Sequence, residues 1–387
     1  MRIIVATDKF KGTLSAPEAC EIISESLRKR YADAEIVSCP MADGGEGTAA
    51  VIAAMCNMNR CEIHCQNAKF EDITAEYFIS GDSKNAIIDS SAVIGLQKML
   101  SEPEPMRSSS FPLGKVVKEI LQTAENVTVC IGGTATVDCG IGFLQGLGCE
   151  IYSGNSPLTC PVTPENIRKI TKIAVPESLL NSGTFVGEQQ KNCTTAKNET
   201  SEKIKKCRLF FLSDVDVPLI SDDDYNMLLF APQKGVRSSE MAVIEENIRH
   251  LTSVQWNTTP NFECRYGGAA GGLGFALNGV LKASGIHGAE AVIDKYGFFN
   301  PAPDLIITGE GRFDRQSTRG KVVGRIMEEA ARLGVKVIVM AGCVEAGCEA
   351  DFVINTSEFF PKYCLNRDTA AKRLSEATKS LYKQVIK

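Results

Sequence analysis

The chain opens on a run of β-branched and apolar residues, Ile3–Thr7, that stops at Asp8, as a buried strand does where it enters a polar loop. Ser15-Ala16-Pro17-Glu18 follows, with serine and glutamate at the spacing of a capping box, and predicts a helix running to about Arg30. Ala19, Ile22, Ile23, Ser26 and Leu27 fall on one face of that helix. Glu35–Cys39 reads as the next strand, so residues 1–40 form a βαβ unit. The far end of the chain repeats the style. Asp304–Thr308, Val335–Met340 and Phe352–Asn355 are short, almost wholly apolar runs separated by helical stretches, the pattern of parallel strands buried on both faces. Two strands from the start and three from the end predict a doubly wound parallel sheet. The fold class expected is therefore α/β in two domains: residues 1–65 and 290–387 as the sheet domain, and 66–289 inserted as a second, mixed α/β domain.

Within the insertion, Ile73–Ile79, Asn85–Asp89, Val127–Ile131 and Arg208–Leu212 carry strand patterns, and helices are expected at 112–125, 141–147, 238–250 and 271–284. The segment 181–206 is rich in Asn, Thr, Lys, Gln and Ser and too poor in apolar residues to offset its ordering entropy, so it reads as a mobile surface loop.

Composition narrows the function. A net charge of −5 with no basic run interleaved with aromatics excludes a general nucleic-acid binder. No apolar run reaches the length of a membrane span and nothing at the start resembles a signal peptide, so a cytoplasmic protein is expected. The cysteines number 15, odd and scattered, which argues for thiols rather than a disulfide framework. Cys61-x3-Cys65 with His64 between them has no usual zinc spacing and reads as a strand with alternating faces. With three histidines, none in a glycine- or acid-rich cluster, a general base would be a carboxylate or a lysine.

Candidate chemistry lies where apolar runs end. Thr7-Asp8, Ile88-Asp89, Ser213-Asp214-Val215-Asp216 and Gly309-Glu310-Gly311-Arg312-Phe313-Asp314 each end a strand in acid, and Mg²⁺ takes such hard oxygen ligands beside substrate phosphates. Glycine-rich stretches, Gly132-Gly133-Thr134-Ala135-Thr136 and Gly267 to Gly274, would let backbone N–H groups approach a phosphate, or would serve close helix packing. Lys11, Lys234 and Lys321 each lie beside a glycine turn near a helix start, where phosphate or carboxylate could bind. There is no Walker A match and no dinucleotide fingerprint after the first strand.

Taken together and in order, Asp8-Lys9-Phe10-Lys11-Gly12-Thr13-Leu14-Ser15, Ala42-Asp43-Gly44-Gly45-Glu46-Gly47-Thr48, Gly132-Gly133-Thr134-Ala135-Thr136, Asp214-Val215-Asp216, Pro232-Gln233-Lys234-Gly235, Gly268-Ala269-Ala270-Gly271-Gly272-Leu273-Gly274 and Thr308-Gly309-Glu310-Gly311-Arg312 resemble the bacterial-type (class I) glycerate kinase family. The resemblance implies ATP-dependent, Mg²⁺-assisted phosphorylation of D-glycerate, with the 2-phosphate favoured and the 3-phosphate the alternative. It also implies a flavodoxin-like domain built from both chain ends with a second domain inserted. Departures stand at Val137-Asp138-Cys139-Gly140, where the family usually has Asn-Asp-Gly-Gly, at Val217 in place of an asparagine, and at Asp89 in place of a glutamate.

On that resemblance the expected catalytic residues are Asp8, Lys11 and Asp214, with Asp8 or Asp214 accepting the proton of the attacking hydroxyl and Lys11 holding an anionic group. Ser15, Asp43, Gly44, Gly45, Glu46 and Asp138 would bind substrate. Gly132, Gly133, Thr134, Gln233, Lys234, Gly271, Gly272, Glu310 and Lys321 would bind ATP. Asp43 and Asp216 would hold Mg²⁺. Two other classes compete: a nicotinamide-dependent oxidoreductase on the same sheet, and a non-catalytic ligand-binding protein of the same fold.

Overall fold

The computed structural model describes residues 1–97, 102–180, 208–221, 226–297, 299–314, 317, 321–345, 347, 350–359 and 366–384. The polar stretch 181–206 expected as a mobile loop lies outside them. The chain divides into two compact units, one of Met1–Met55, Leu212–Val215 and Ile286–Lys387, the other of Cys56–Phe211 and Asp216–Gly285.

The first unit is built on a five-stranded sheet ordered Phe352–Asn355, Lys336–Ala341, Leu305–Glu310, Arg2–Thr7, Glu35–Ser38, with every neighbouring pair parallel. Alternate residues of the central strands supply two separate cores. Ile4, Ala6, Ile306, Val337 and Val339 pack with Val292, Val323 and Ile326 on one face. Ile3, Val5, Ile307, Ile338 and Met340 pack with Ile23, Leu27, Leu374 and Leu381 on the other. Burial on both faces is why these strands read as continuous apolar runs. The order is flavodoxin-like, and its switch point lies between Arg2–Thr7 and Leu305–Glu310, whose carboxyl ends carry Asp8 and Glu310. The helix Ala16–Arg28 starts on the predicted capping box: Ser15 Oγ accepts from Glu18 N–H and the Glu18 carboxylate accepts from Ser15 N–H.

The second unit holds a six-stranded mixed sheet ordered Ser284–His287, Arg208–Ser213, Asn126–Cys130, Asn85–Asp89, Asp72–Ile79, Asn59–Gln66. Its last three strands are antiparallel neighbours, while Asn85–Asp89 and Asn126–Cys130 are parallel. The helix Phe111–Thr123 packs closely on Ile141–Leu147, and Gly114 and Gly146 make the approach possible. A Cβ on Gly114 would stand 2.2 Å from Phe143 O, and one on Gly146 2.2 Å from Phe111 O. A second sheet of four short strands, Gln255–Trp256, Lys172–Ala174, Glu150–Ser153 and Ser156–Pro157, has no counterpart among the elements the sequence predicts.

One predicted helix is corrected. Residues 271–284 do not form a single α-helix: a 3₁₀ turn at Ala269–Gly272 is followed by a π-helix at Phe275–Val280 and then the strand Ser284–His287. Ala270, Gly271 and Gly272 all have positive φ, which a continuous right-handed helix cannot accommodate.

Candidate active site

Four acids and two lysines of the first unit gather where its strands end. Asp8 follows Arg2–Thr7 and is 7% exposed. Its Oδ1 accepts from the Lys9 backbone N–H at 2.7 Å. The Lys9 ammonium turns to Asp43 Oδ1 at 3.2 Å and also donates to the Glu46 carbonyl at 2.9 Å. Asp43 Oδ1 accepts in addition from Gly45 N–H at 3.0 Å, and Thr48 Oγ1 accepts from Gly44 N–H at 3.1 Å, so the Asp43–Thr48 turn is held from inside.

Glycine brings these backbones close enough to share a field. A Cβ on Gly44, whose φ is +99°, would stand 2.7 Å from the Ser213 carbonyl carbon, and one on Gly288 would stand 2.1 Å from Gly44 N. The Asp43–Gly44 turn is thereby packed against the segment that carries Asp214. Glu310 ends Leu305–Glu310, and its Oε1 is buried with no hydrogen-bond partner among the described residues. Lys321 stands at the N-cap of Val322–Leu333 and bears electrostatically on Asp8, Asp43, Asp214 and Glu310.

This crowding separates the acids. Burial, and then the Asp43 charge, push the Asp8 carboxyl up to about 7 against the pull of Lys9 and Lys321. Burial likewise raises Asp214, again reinforced by Asp43. Burial carries Glu310 up to about 7, although Ser317 and Lys321 favour its charge. Burial opposes ionisation of Asp43 too, but Lys9 outweighs it and leaves Asp43 below the ordinary carboxylate range. Lys9 is itself raised: burial disfavours its charge, while Asp43 and Asp8 more than compensate. Asp43 is thus held ionised beside Asp8 and Glu310, which are pushed close to neutral pH, the arrangement that divides acid and base roles between carboxylates.

Nothing local in the sequence marks Lys9, whereas Lys11 stands beside Gly12. Lys11 is exposed in the turn that the Phe10–Leu14 bridge closes, and Ser15 is exposed at the helix cap. Glu46 is exposed, and its backbone carbonyl holds Lys9.

The remaining expected site residues belong to the second unit. Asp138 is wholly buried. Its Oδ2 accepts from Ser110 N–H and Oγ at 2.8 and 2.7 Å, and its Oδ1 accepts from Gly140 N–H at 3.2 Å. Burial raises its carboxyl, and those bonds draw it back. Lys234 is 5% exposed and donates to Thr134 O, Thr134 Oγ1 and Thr136 O at 2.7, 2.8 and 3.2 Å, clasping the turn after Gly132-Gly133. Gly271 and Gly272 lie against that turn and the next: their Cβ atoms would stand 1.9 Å from Thr136 O and 2.3 Å from Cys139 Cα. Gln233 is exposed beside Lys234. Asp216 Oδ2 accepts both Arg265 Nε and Nη2, at 3.2 and 3.0 Å.

The family model for glycerate kinases matches residues 3–387. The chain belongs to the glycerate kinase family. Its relatives include a glycerate 2-kinase of Escherichia coli, 31% identical over 372 residues that cover 92% of this chain and 91% of that protein. A glycerate kinase of Bacillus cereus is 29% identical with the same coverage of each. A crystal structure assigned as glycerate kinase 2 from Salmonella typhimurium superposes with a TM-score of 0.74 at 26% identity, covering 100% of this chain and 97% of that one. Phosphorylation of glycerate is the activity that membership of the glycerate kinase family carries, and the oxidoreductase and non-catalytic readings give way to it. No described helix is long and apolar enough to cross a membrane.

Proposed function

We propose that the chain transfers the γ-phosphoryl group of ATP to the 2-hydroxyl of D-glycerate at the acid cluster of its first unit. The observation that carries this reading is the gathering of Asp8, Asp43 and Asp214 with Lys9 and Lys321 beyond the carboxyl ends of the strands. Asp8 is the base. Its carboxyl titrates at about 7, close to the pH at which it must take a proton from a hydroxyl. Lys11 takes the glycerate carboxylate, and Lys321, whose field already reaches the four acids, steadies the transferring phosphate.

The cluster fits Mg²⁺. Its carboxylates are hard oxygen donors that outnumber the two lysines, and Mg²⁺ is usually held by one or two carboxylates together with phosphate oxygens and waters. Asp43, kept ionised by Lys9, and Asp214 are the donors we assign, and Mg²⁺ bound there would neutralise the phosphate charge of ATP. Asp216 would first have to release the Arg265 guanidinium. Among the described residues no three His, Cys, Asp or Glu side chains already form a metal cage, so the phosphates of ATP would complete the coordination.

Incubation with ATP, Mg²⁺ and D-glycerate, followed by phosphorus NMR, should show 2-phosphoglycerate accumulating as ATP is consumed. A 3-phosphoglycerate signal would move the attack to the other hydroxyl, and no phosphoglycerate from folded protein would overturn the reading. Replacing Lys11 by alanine should lower kcat/KM about 10–100-fold, since a hydrogen bond to a charged group is worth about 1.5–3 kcal/mol. The fold should be unaffected because Lys11 is exposed. A variant with parental kcat/KM would remove Lys11 from the site.

A further inference from the structure

Of the four acids in the cluster, Asp8 takes a proton and Asp43 and Asp214 are assigned to Mg²⁺, which leaves Glu310 without a task. Glycerate has one polar group in the same position. Its carboxylate goes to Lys11 and its 2-hydroxyl to Asp8, while its 3-hydroxyl has no partner. Glu310 is also the residue that follows Asp8 across the sheet. Leu305–Glu310 and Arg2–Thr7 run parallel with Thr7 opposite Gly309, and Asp8 N–H donates to Gly309 O at 2.9 Å. The two chains therefore enter the site side by side, about 4.8 Å apart, and the Asp8 charge bears on Glu310.

The backbone beneath Glu310 is fixed from its other side as well. Gly342 N–H donates to Glu310 O at 3.2 Å, and a Cβ on Gly309 would stand 2.2 Å from Met340 O. The Glu310 side chain is half-buried, and its Oε1 is buried with no hydrogen-bond partner among the described residues. A buried acceptor left unpaired costs free energy, and a bound hydroxyl would supply the missing donor.

We propose that Glu310 accepts the 3-hydroxyl of D-glycerate and so selects a substrate with hydroxyls on adjacent carbons. The assignment rests on attack by the 2-hydroxyl with Asp8 as base. Carboxyls on two neighbouring strands then hold the two ends of one vicinal diol, and tying down the 3-hydroxyl presents the 2-hydroxyl to Asp8. The ribose of ATP is a vicinal diol too. Its α- and β-phosphates separate it from the phosphoryl group under attack, so it lies away from the residue beside the base. Glu310, expected on resemblance among the ATP ligands, thereby moves to the glycerate end.

D-Lactate is D-glycerate without the 3-hydroxyl, so the ratio of kcat/KM for the two, read as phosphorylated product, isolates this contact. The parent should prefer D-glycerate by about 10²-fold or more, because a site built to bond a hydroxyl rejects the analogue that lacks it. Glu310→Leu should bring that preference below about tenfold, with the loss falling on D-glycerate, since an apolar pocket discriminates weakly against a missing hydroxyl. Glu310→Gln keeps a carbonyl acceptor and should retain more of the preference than leucine does. KM for ATP should match the parent in both. Each ratio is measured on one preparation, so it does not depend on the fraction of protein that is folded. Ser317 Oγ keeps Arg312 O at 3.3 Å and Asp314 Oδ1 at 3.4 Å as acceptors when the carboxylate is removed. A preference that survives Glu310→Leu, or an equal loss on both substrates with a raised KM for ATP, would overturn this assignment alone. A parent that makes no phosphoglycerate, or makes the 3-phosphate, would instead fail the reading beneath it and take the assignment with it.

Discussion

Asp8→Asn should lower kcat by about 10²–10⁴-fold, the range for losing a positioned general base, and should make the protein more stable at pH 8. The two effects together separate a base from a structural acid. Asparagine keeps the oxygen that accepts the Lys9 N–H, so the local backbone bond survives. What is lost is a charge that the fold disfavours. Asp8 titrates at about 7 in the folded protein against an ordinary value of 3.8, so between those values the native state binds more protons than the unfolded one. Stability falls as pH rises through that window, and above it the full cost of the buried charge is felt. An uncharged residue escapes the cost, so the gain in thermal midpoint should be largest at pH 8 and shrink toward pH 5. The parent should also show kcat/KM rising with pH through an acid limb near 7, or lower if Mg²⁺ is bound. A variant that loses stability while keeping kcat would make Asp8 a brace and end its assignment as base.

The sheet of the first unit is legible because its central strands, buried on both faces, are apolar almost throughout. Arg2–Thr7 and Phe352–Asn355 are found within a residue of where their apolar runs place them. The helix Ile141–Leu147 matches its expected bounds, set by glycines at both caps. The four-stranded sheet was illegible for the opposite reason. Strands such as Gln255–Trp256 and Ser156–Pro157 are too short to establish a period. The stretch 271–284 misled because its apolar spacing suits a helix, whereas its glycines are required by close contact with Thr136 and Cys139, residues distant in sequence.

The same distinction runs through the site. Asp8, Asp43, Asp214 and Glu310 could be picked out because each follows a run with strand character. Lys9 could not, because nothing local marks it: its partner Asp43 lies 34 residues away and is reached only when two strands lie side by side. Asp138 and Lys234 stand in motifs of the same density as those of the first unit, yet their side chains are engaged with Ser110, Gly140, Thr134 and Thr136. Motif density alone does not distinguish a group that awaits a ligand from one that holds a turn.

Lys9→Met should therefore cost more stability than any exposed lysine of the chain, about 3 kcal/mol at pH 8, as expected when one partner of a largely buried ion pair is removed. Lys9 offsets two acids at once. Without it Asp43 loses both its cation and a hydrogen bond, and Asp8 loses the strongest of the charges that favour its ionised form. Both carboxyls then rise, so the variant's deficit is greatest where the unfolded chain would ionise them and narrows as pH falls and they protonate in place. Denaturation midpoints at pH 8 and pH 5 would measure this directly, with Lys11→Ala as the exposed-lysine control. The catalytic defect should run the opposite way and deepen as pH falls, because an Asp43 that protonates more readily is a poorer donor for a divalent cation. Lys9→Arg should restore part of the stability, since a guanidinium preserves the charge in a different geometry. A Lys9→Met protein as stable as its parent at pH 8, or a deficit that widens toward pH 5, would mean that the acids of this cluster are balanced by something other than Lys9.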